Sequence, residues 1–363
     1  MGEKRLSQSM KEYATRRALN YALSSIDKLM PRSNPLARPL RFHLEINDLC
    51  NLKCIHCARE NDTIPKRTGS MPIEAVRRMA PFFKSATWVG IAGNGEPFLH
   101  RNLLEILEII SENGATPSVI TNAMLFNDKK IEKLFALKKL LLMISLDGGM
   151  PQTFERIRKG ARWSKLIEAL EMIREAKKHK PGPFPLVNFL CCLMRDNLHE
   201  LEQMIELAHE YAVPAMLLQT LIPYAPEIPR EQMLNYEETA AEIDRCRPLA
   251  QQYNIRLDFN PTNFTLQERR EGEARHNGNG NANANGKRLF CPNIWQQFHV
   301  EVSGNVRFCC MWTKGSIGNV LEKSVDEIWR SRPFQELRAA LLRGEMPEDC
   351  SNCHLVVDYD RSK

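Results

Sequence analysis

Three cysteines within a short segment are the residues of this sequence best suited to chemistry. Cys50, Cys54 and Cys57 lie in LCNLKCIHCARE, separated by three and by two residues. Thiolates at this spacing can hold three irons of a cubane iron–sulfur cluster and leave the fourth iron without a protein ligand. A zinc ion needs a fourth ligand, and His56 lies between two of the cysteines, where the backbone hardly lets it join the same tetrahedron. The sequence therefore favours a cluster with one open iron.

The order of the predicted elements indicates how these cysteines are positioned. Apolar strand segments alternate with helical patterns from residue 40 onward, which predicts a parallel sheet covered by helices, either doubly wound or curled into a barrel. In the first strand the apolar residues alternate with His43 and Glu45, so a barrel would turn these two toward a wet interior. The predicted strands are 40–46, 87–92, 117–121, 140–146, 185–194, 215–221 and 255–259. The predicted helices are 8–30, 73–84, 102–113, 128–138, 163–179, 198–211 and 235–253.

Four strand ends of this sequence resemble the radical S-adenosylmethionine (radical SAM) enzymes. The Cys-x3-Cys-x2-Cys segment follows the first strand, and GNGEP (93–97) follows the second. ITNAML (120–125) follows the third strand, with Ala123 where the family has glycine, and SLDG (145–148) follows the fourth. The resemblance covers about residues 40–260. It implies a partial (β/α)6 TIM-like barrel, a [4Fe-4S] cluster on the three cysteines and S-adenosylmethionine (SAM) on the open iron.

The resemblance also implies a SAM site at these strand ends, where parallel barrels place their chemistry. Glu96 would face the methionyl ammonium, and Gly93 and Gly95 would let backbone carbonyls approach that group closely. His56 could pack on the adenine, and Arg158 is a candidate for the SAM carboxylate, with an ordinary surface arginine as the alternative. The expected SAM contacts are Gly93, Gly95, Glu96, Pro97, Asn122, Ser145, His56 and Arg158.

The C-terminal cysteines resemble an auxiliary-cluster module called SPASM or, in its shorter form, twitch. The additional cysteines that the long form uses for a second auxiliary cluster are absent, so the resemblance implies one auxiliary [4Fe-4S] cluster. Its four ligands would be Cys291, Cys309, Cys350 and Cys353. A structural zinc ion on the same residues is the alternative, and Cys310 could replace Cys309. Because a fully ligated cluster has no iron free for a substrate, electron transfer is the favoured role.

The remaining polar and thiol groups include candidates for the catalytic steps. Cys191 and Cys192 lie on a predicted strand and point to opposite faces, so one of them could face the lumen and deliver a hydrogen atom to a substrate radical. The alternative is that both are small packing residues, which is the more common role of a buried cysteine. Cys246, in a predicted helix, is interpreted as filler. Glu45 is the candidate to accept a proton, with His43 and Asp258 as further possibilities and a structural role as the alternative for each of the three.

These features predict a radical SAM oxidoreductase. Reductive cleavage of SAM would give a 5′-deoxyadenosyl radical that abstracts a substrate hydrogen, and the auxiliary cluster would accept an electron during oxidation of a polar small molecule. The resemblance implies a flavodoxin or ferredoxin-type electron donor.

Three other functions stay open. One is epimerisation, with a thiol of Cys191, Cys192 or Cys310 quenching the radical, and the second is peptide maturation. About forty residues precede the first strand, which we expect to be too few for a leader-binding domain. The third is a non-catalytic metal-binding interaction protein, which would not need Glu96 with its glycines.

Composition sets limits on the class of protein. The 363 residues carry a formal net charge of +6 spread along the chain, which gives no indication of nucleic acid binding. The N-terminus lacks the apolar core of a signal peptide, and no apolar run is long enough for a membrane span. We therefore expect a cytoplasmic protein. In that reducing compartment the eleven cysteines would not form a disulfide framework. The predicted domains are an N-terminal helical extension (1–36), the barrel (37–272), an Asn/Gly-rich linker (273–287) and a small α+β cluster domain (288–363) with a hairpin turning at 303–305 and a helix at 324–343.

Overall fold

The structure is a computed structural model of the chain. It describes residues 2–57, 59, 69–180, 182–222, 228–260, 289–312, 314–350, 353 and 355–358, of which residues 2–12, 357 and 358 are described by their backbone alone. The predicted linker at 273–287 lies outside these residues, and the predicted domain boundaries stay predictions. In the part of the chain that is described, every helix is too short or too polar to cross a membrane.

Seven parallel strands with helices between them form the first part of the fold. The strands are β1 (Arg41–Leu44), β2 (Trp88–Ile91), β3 (Thr116–Thr121), β4 (Leu141–Ser145), β5 (Leu186–Leu193), β6 (Ala215–Thr220) and β7 (Arg256–Asn260). The helices are α1 (Gly2–Leu29), α2 (Ile73–Phe83), α3 (Leu103–Glu112), α4 (Asp128–Ala136), α5 (Pro151–Ile157), α6 (Trp163–His179), α7 (Leu201–Glu210) and α8 (Tyr236–Gln252). Each predicted strand begins and ends within two residues of the observed one.

Local sequence explains most of these elements, and α5 is the exception. In α3 the apolar residues recur at helical spacing, and Leu103, Ile106 and Ile110 are buried against the sheet. Asn127 caps α4 by accepting a hydrogen bond from the Lys130 N–H at 3.0 Å. The seven residues of α5 were not predicted, because so short a helix has too few apolar positions to reveal a period.

The C-terminal part consists of short strands and helices. They are β8 (Leu289–Phe290), α9 (Pro292–Gln296), β9 (Gln297–Val300), β10 (Asn305–Arg307), β11 (Gly318–Asn319), α10 (Val325–Trp329), α11 (Arg332–Leu342) and β12 (Val357–Asp358). The predicted hairpin is β9–β10, and Gly304 in its turn has a φ of +84°. The prediction of one helix at 324–343 is wrong: Ser331 is extended and a proline, Pro333, lies in the first turn of α11, so the chain starts a second helix there.

The β9–β10 hairpin belongs to the same sheet as the barrel strands. The strand order is β11-β10-β9-β1-β2-β3-β4-β5-β6-β7, and the sheet is open. β9 is parallel to β1, with Arg41 opposite Gln297 and His43 opposite His299. The predicted class, a mixed α/β partial barrel with a small C-terminal α+β domain, is confirmed, and the hairpin extends the barrel sheet at its first strand.

Side chains of the C-terminal helices hold this domain against the segment that leads into β1. The Trp329 indole donates to the Ala37 carbonyl at 3.0 Å, and the Trp295 indole donates to the Arg32 carbonyl at 3.0 Å. Arg338 is fully buried, donates to the Ile294 carbonyl, and stacks its guanidinium over the Trp329 ring. One continuous apolar core therefore reaches from the barrel into the C-terminal domain.

Candidate active site

The loop after β1 presents the first three cysteines together. Backbone hydrogen bonds from Lys53 and Ile55 to the end of α5 fix this loop, and the Leu52 N–H donates to Cys50 Sγ. Cys54 is buried, and burial raises the pKa of its thiol to about 11, with Cys57 and Cys50 close enough to add to the effect. Three neighbouring thiols on one loop fit the cluster that the sequence predicts, and ligation by iron would remove the cost of burying the charged form of Cys54.

Glu96 lies at the end of β2 and is only 3% exposed. Its carboxylate accepts hydrogen bonds from the Thr121 hydroxyl at 2.6 Å, the Asn122 N–H at 2.8 Å and the Phe98 N–H at 3.1 Å. Burial raises the pKa of Glu96, and these donors act in the opposite direction. The side chain thus ties the ends of β2 and β3 together and provides a buried acceptor for an ammonium group.

The glycines around Glu96 are required by close packing. An added Cβ at Gly95 would lie 2.4 Å from the backbone oxygen of Asn47, and Gly93 has a φ of +147°. A Cβ at Gly93 would also lie 2.6 Å from Cγ of Glu45. The Asn47 side chain in turn donates to the Glu96 carbonyl at 2.6 Å. The loop therefore packs directly on the segment that leads to the cysteines.

The segment after β3 connects Glu96 with the cysteine loop. The Asn122 amide donates to Asn51 Oδ1 at 2.9 Å and approaches Cys50 Sγ at 3.9 Å. Ala123, which stands where the related family has glycine, has a φ of +63°. This is the left-handed region that favours glycine, so the substitution noted in the sequence keeps the backbone of the motif.

A pocket of about 130 Å³ lies beside these loops. Its lining residues are His56, Ser145, Asp147, Arg158, Leu190, Cys192, Gln219, Thr220, Leu221 and Ile222. Arg158 is buried rather than on the surface, and its guanidinium donates to the Asp147 carboxylate. Burial alone would lower the pKa of Arg158, but Cys54 and Asp147 raise it above its ordinary value. A permanent cation therefore lies between the cluster cysteines and the pocket.

Asp147 is a pocket residue that the sequence reasoning missed. It is 1% exposed, accepts a hydrogen bond from the Cys192 N–H at 2.8 Å, and lies 3.6 Å from Nε2 of His56. Burial lowers the pKa of His56, which leaves its imidazole neutral near neutral pH. The SLDG segment that indicated Ser145 also contains Asp147, so the signal was present in the sequence.

The two adjacent cysteines of β5 have different surroundings. Cys191 is fully buried in the apolar core, whereas Cys192 lines the pocket. Burial raises the pKa of both thiols well above the usual value, so both stay protonated at neutral pH. Only Cys192 is therefore placed to meet a substrate. Cys246 is fully buried in α8, as expected of filler.

The C-terminal cysteines come together as a second set. Cys291, Cys350 and Cys353 are buried and Cys309 is half-buried. Burial raises the pKa of Cys291 to about 12, and Cys353 and Cys350 add to the effect through their charges. Cys309 interacts with its neighbour Cys310 and also with Cys291 and Cys353. Four thiols gathered in one region fit a fully ligated cluster.

Cys310, the alternative to Cys309, is exposed. Its thiol interacts with Cys353 and with Glu45 of the barrel. Glu45 is 8% exposed and lies 3.2 Å from Nε2 of His299 and 3.9 Å from Arg307. Burial would raise the pKa of Glu45, but these groups together with His43 lower it. A carboxylate with a lowered pKa is a weak base at neutral pH.

Asp258, a further candidate base, lies on the edge strand β7. Its carboxylate accepts hydrogen bonds from the Arg256 guanidinium at 2.8 and 3.0 Å. This pairing with an exposed arginine is an ordinary surface interaction. The role of Asp258 as a base stays a prediction, as do the roles of the other predicted site residues.

Comparison with known proteins identifies the class to which this fold and site belong. Residues 44–208 match the Radical SAM superfamily, and the chain is a radical SAM enzyme. Residues 291–354 match the SPASM iron-sulfur cluster-binding domain, which confirms the second resemblance. The radical SAM domain binds a [4Fe-4S] cluster and SAM, and the SPASM domain binds auxiliary iron–sulfur clusters.

Several curated proteins are similar over most of the chain. The "Tungsten-containing aldehyde ferredoxin oxidoreductase cofactor-modifying protein" of Pyrococcus furiosus is 22% identical over 325 residues, covering 86% of this chain and 87% of that protein. The "Antilisterial bacteriocin subtilosin biosynthesis protein AlbA" of Bacillus subtilis is 23% identical over 302 residues, covering 82% of this chain and 61% of that protein. Both relationships are distant, so they establish the family rather than the reaction.

Solved structures share the fold. SuiB of Streptococcus suis, bound to S-adenosylmethionine, aligns with a TM-score of 0.69 at 14% identity, covering 83% of this chain and 68% of SuiB. The anSMEcpe protein with bound AdoMet aligns with a TM-score of 0.62 at 20% identity, covering 87% of this chain and 88% of that one. At these identities the likeness shows the fold alone.

Proposed function

We propose that the protein oxidises a polar substrate by two electrons. One electron leaves with the hydrogen atom that SAM chemistry removes, the SPASM cluster accepts the other, and the proton passes to solvent. The observation that carries the proposal is the position of Glu45. Glu45 packs on Gly93 of the predicted SAM loop, and it follows β1, which pairs with β9 of the hairpin that leads to the predicted ligand Cys309. The predicted SAM site and the predicted auxiliary cluster therefore adjoin one strand pairing, which supports an electron path between them.

Different residues of the first site would hold the cluster and SAM. Cys50, Cys54 and Cys57 would hold the cluster, and Glu96 would accept the SAM ammonium. When bound, SAM supplies the 5′-deoxyadenosyl radical that removes a hydrogen atom from the substrate. A guanidinium has five donors, so Arg158 can pair with Asp147 and still donate to the SAM carboxylate.

The small pocket supports the assignment of the substrate as a polar small molecule. Its wall combines Gln219, Thr220 and Asp147 with apolar side chains, which is typical of a site that orients one polar group while excluding water. Such a pocket would also accept one side chain of a peptide. Since AlbA is described as a bacteriocin biosynthesis protein and SuiB was solved with its precursor peptide SuiA, a peptide is the second candidate substrate.

Epimerisation is the second candidate reaction, and Cys192 favours it. A protonated thiol that lines the pocket can return a hydrogen atom to a substrate radical from the face opposite to abstraction. The auxiliary cluster would then not be the net electron acceptor. Product mass separates the two reactions, because oxidation removes two hydrogens and epimerisation leaves the mass unchanged.

The first experiment measures 5′-deoxyadenosine after anaerobic reconstitution, with dithionite and SAM. We expect formation by the wild type and its loss in Cys54→Ala, while Cys246→Ala, which changes a buried cysteine of α8, keeps the activity. Deuterated polar small molecules and peptides from the gene neighbourhood are then tested for deuterium transfer into 5′-deoxyadenosine and for product mass. Unchanged 5′-deoxyadenosine yield in Cys54→Ala would contradict the assignment, and a product of unchanged mass would select epimerisation.

A further inference from the structure

Three side chains from the barrel and the SPASM domain meet where β9 pairs with β1. His43 of β1 lies opposite His299 of β9, and their rings stack with centroids 4.7 Å apart and planes 17° apart. Glu45 follows β1 and points into the same space. One ligand atom from each of the three residues lies within 4.8 Å of the other two. The neighbouring strands thus gather two imidazoles and one carboxylate at a single point.

The hydrogen bonding of His299 is incomplete. The residue is fully buried, and neither ring nitrogen makes a hydrogen bond to any described residue. Its Nε2 lies 3.2 Å from Glu45 Oε1, but the contact lacks hydrogen-bond geometry. Burying an imidazole without partners is unfavourable, so this arrangement calls for a group that satisfies its nitrogen.

We propose that His43, Glu45 and His299 bind one divalent transition-metal ion. Two imidazoles and one carboxylate are the donor set that proteins use for zinc, manganese(II) and iron(II), with water completing the coordination. One guanidinium and a second carboxylate lie beside these three residues. Arg307 is 3.9 Å from Glu45 and 2.7 Å from Glu301, so Glu301 offsets part of the positive charge that Arg307 brings to the proposed site.

In this arrangement Glu45 acts as a ligand and not as the proton acceptor that the sequence suggested, because its carboxylate lies 3.2 Å from Nε2 of His299 and within 4.8 Å of a ring nitrogen of His43.

The ion would fix the distance between the two halves of the enzyme. It would join β1 to β9, whose hairpin continues into the segment of Cys309, and Glu45 packs on Gly93 of the predicted SAM loop. The inference goes beyond the proposed function, since a cation between β1 and β9 is independent of whether the substrate is oxidised or epimerised.

The test measures zinc binding to the anaerobically reconstituted holoenzyme, by metal analysis after equilibrium dialysis against graded free zinc. We expect one zinc ion per chain above the cluster iron. Glu45→Gln and His299→Asn should weaken zinc binding by more than about 100-fold without lowering the iron content. His209→Asn is the matched control, because His209 stacks on Tyr253 and belongs to neither β1 nor β9. This variant should keep the wild-type affinity for zinc.

A second readout is thermal stability. Zinc should raise the melting temperature of the wild type and of His209→Asn, because it binds only the folded chain, and should leave Glu45→Gln unchanged. Absence of zinc beyond the iron, or equal zinc affinity in wild type and His299→Asn, would overturn the proposal. Should His299→Asn not fold, unchanged affinity in His43→Asn has the same meaning.

Discussion

The Arg158 guanidinium donates a hydrogen bond to the Asp147 carboxylate in the wall of the pocket beside the cysteine loop. Both side chains are buried, and Asp147 also accepts the Cys192 N–H, so the pair connects the segment after α5 with the ends of β4 and β5. A buried ion pair adds little by comparison with apolar packing, but removing one partner leaves an uncompensated buried charge.

Replacing Arg158 should therefore destabilise the protein and weaken SAM binding together. We expect Arg158→Ala to lower the free energy of unfolding by about 3 kcal/mol, measured by denaturant titration, because Asp147 then stays buried and unpaired. SAM affinity, measured by equilibrium dialysis on the reconstituted enzyme, should fall at least about tenfold. Arg162→Ala, which removes an exposed arginine 3.7 Å from Glu155, is the control and should change neither. Wild-type SAM affinity in Arg158→Ala would exclude a role in SAM binding.

Glu96→Gln should separate SAM binding from cluster assembly. The amide keeps the shape of the side chain but removes the negative charge, and its NH2 group replaces one oxygen that accepts a backbone N–H. We therefore expect SAM affinity to fall by a factor of about ten or more. Iron content should stay at the wild-type level, because Glu96 is not a predicted ligand. Glu74→Gln, at an exposed position of α2, is the control. Loss of iron in Glu96→Gln would show that the residue supports the cluster loop instead.

The sequence predicted the parts of this fold that depend on local pattern. The strands of the barrel were visible as apolar runs, and the cysteine, GNGEP, ITNAML and SLDG segments follow β1 to β4 in the structure. Strand ends of a parallel sheet meet at one edge, so assembly of these motifs into one site followed from their order. Gly95 was expected to let a carbonyl approach the SAM ammonium, which stays a prediction, and the structure adds a tight contact with Asn47 that excludes a side chain.

Contacts between distant segments could not be predicted from one sequence. The pairing of β9 with β1 joins residues separated by more than two hundred positions. Neither strand's sequence indicates which other strand it pairs with. The convergence of His299 with Glu45 depends on that pairing. The break between α10 and α11, by contrast, was predictable from the sequence, because Pro333 disfavours a continuous helix through that point.

Cys309→Ser and Cys310→Ser should differ in iron content. Cys309 interacts with Cys291 and Cys353, whereas Cys310 interacts with Cys353 and Glu45 and is the more exposed of the two. The reconstituted wild type should contain about eight iron atoms per chain, as two [4Fe-4S] clusters require. We expect Cys309→Ser to lose iron, approaching about four atoms, and Cys310→Ser to keep the wild-type content. The reverse pattern would make Cys310 the ligand, and a wild-type content near four with zinc present would show a structural zinc site.

Two alanines with positive φ provide a matched test of backbone strain. Ala123 has a φ of +63° and Ala212 has a φ of +51°, so glycine at either position would relieve about 1 kcal/mol of left-handed strain. Glycine also gives the unfolded chain more freedom, which costs about 0.5 kcal/mol. Ala212 is exposed, so we expect Ala212→Gly to raise the free energy of unfolding by about 0.5 kcal/mol.

Ala123 differs from Ala212 because its methyl group is 2% exposed. Removing one buried methyl costs about 0.8 kcal/mol, which offsets the relief of strain. We therefore expect Ala123→Gly to leave the free energy of unfolding within about 0.5 kcal/mol of the wild type, measured by denaturant titration beside Ala212→Gly. SAM affinity should stay unchanged, because Asn122 keeps its contacts when residue 123 adopts the same φ. A clear fall in SAM affinity would show that the Ala123 methyl itself shapes the site, beyond the conformation of its backbone.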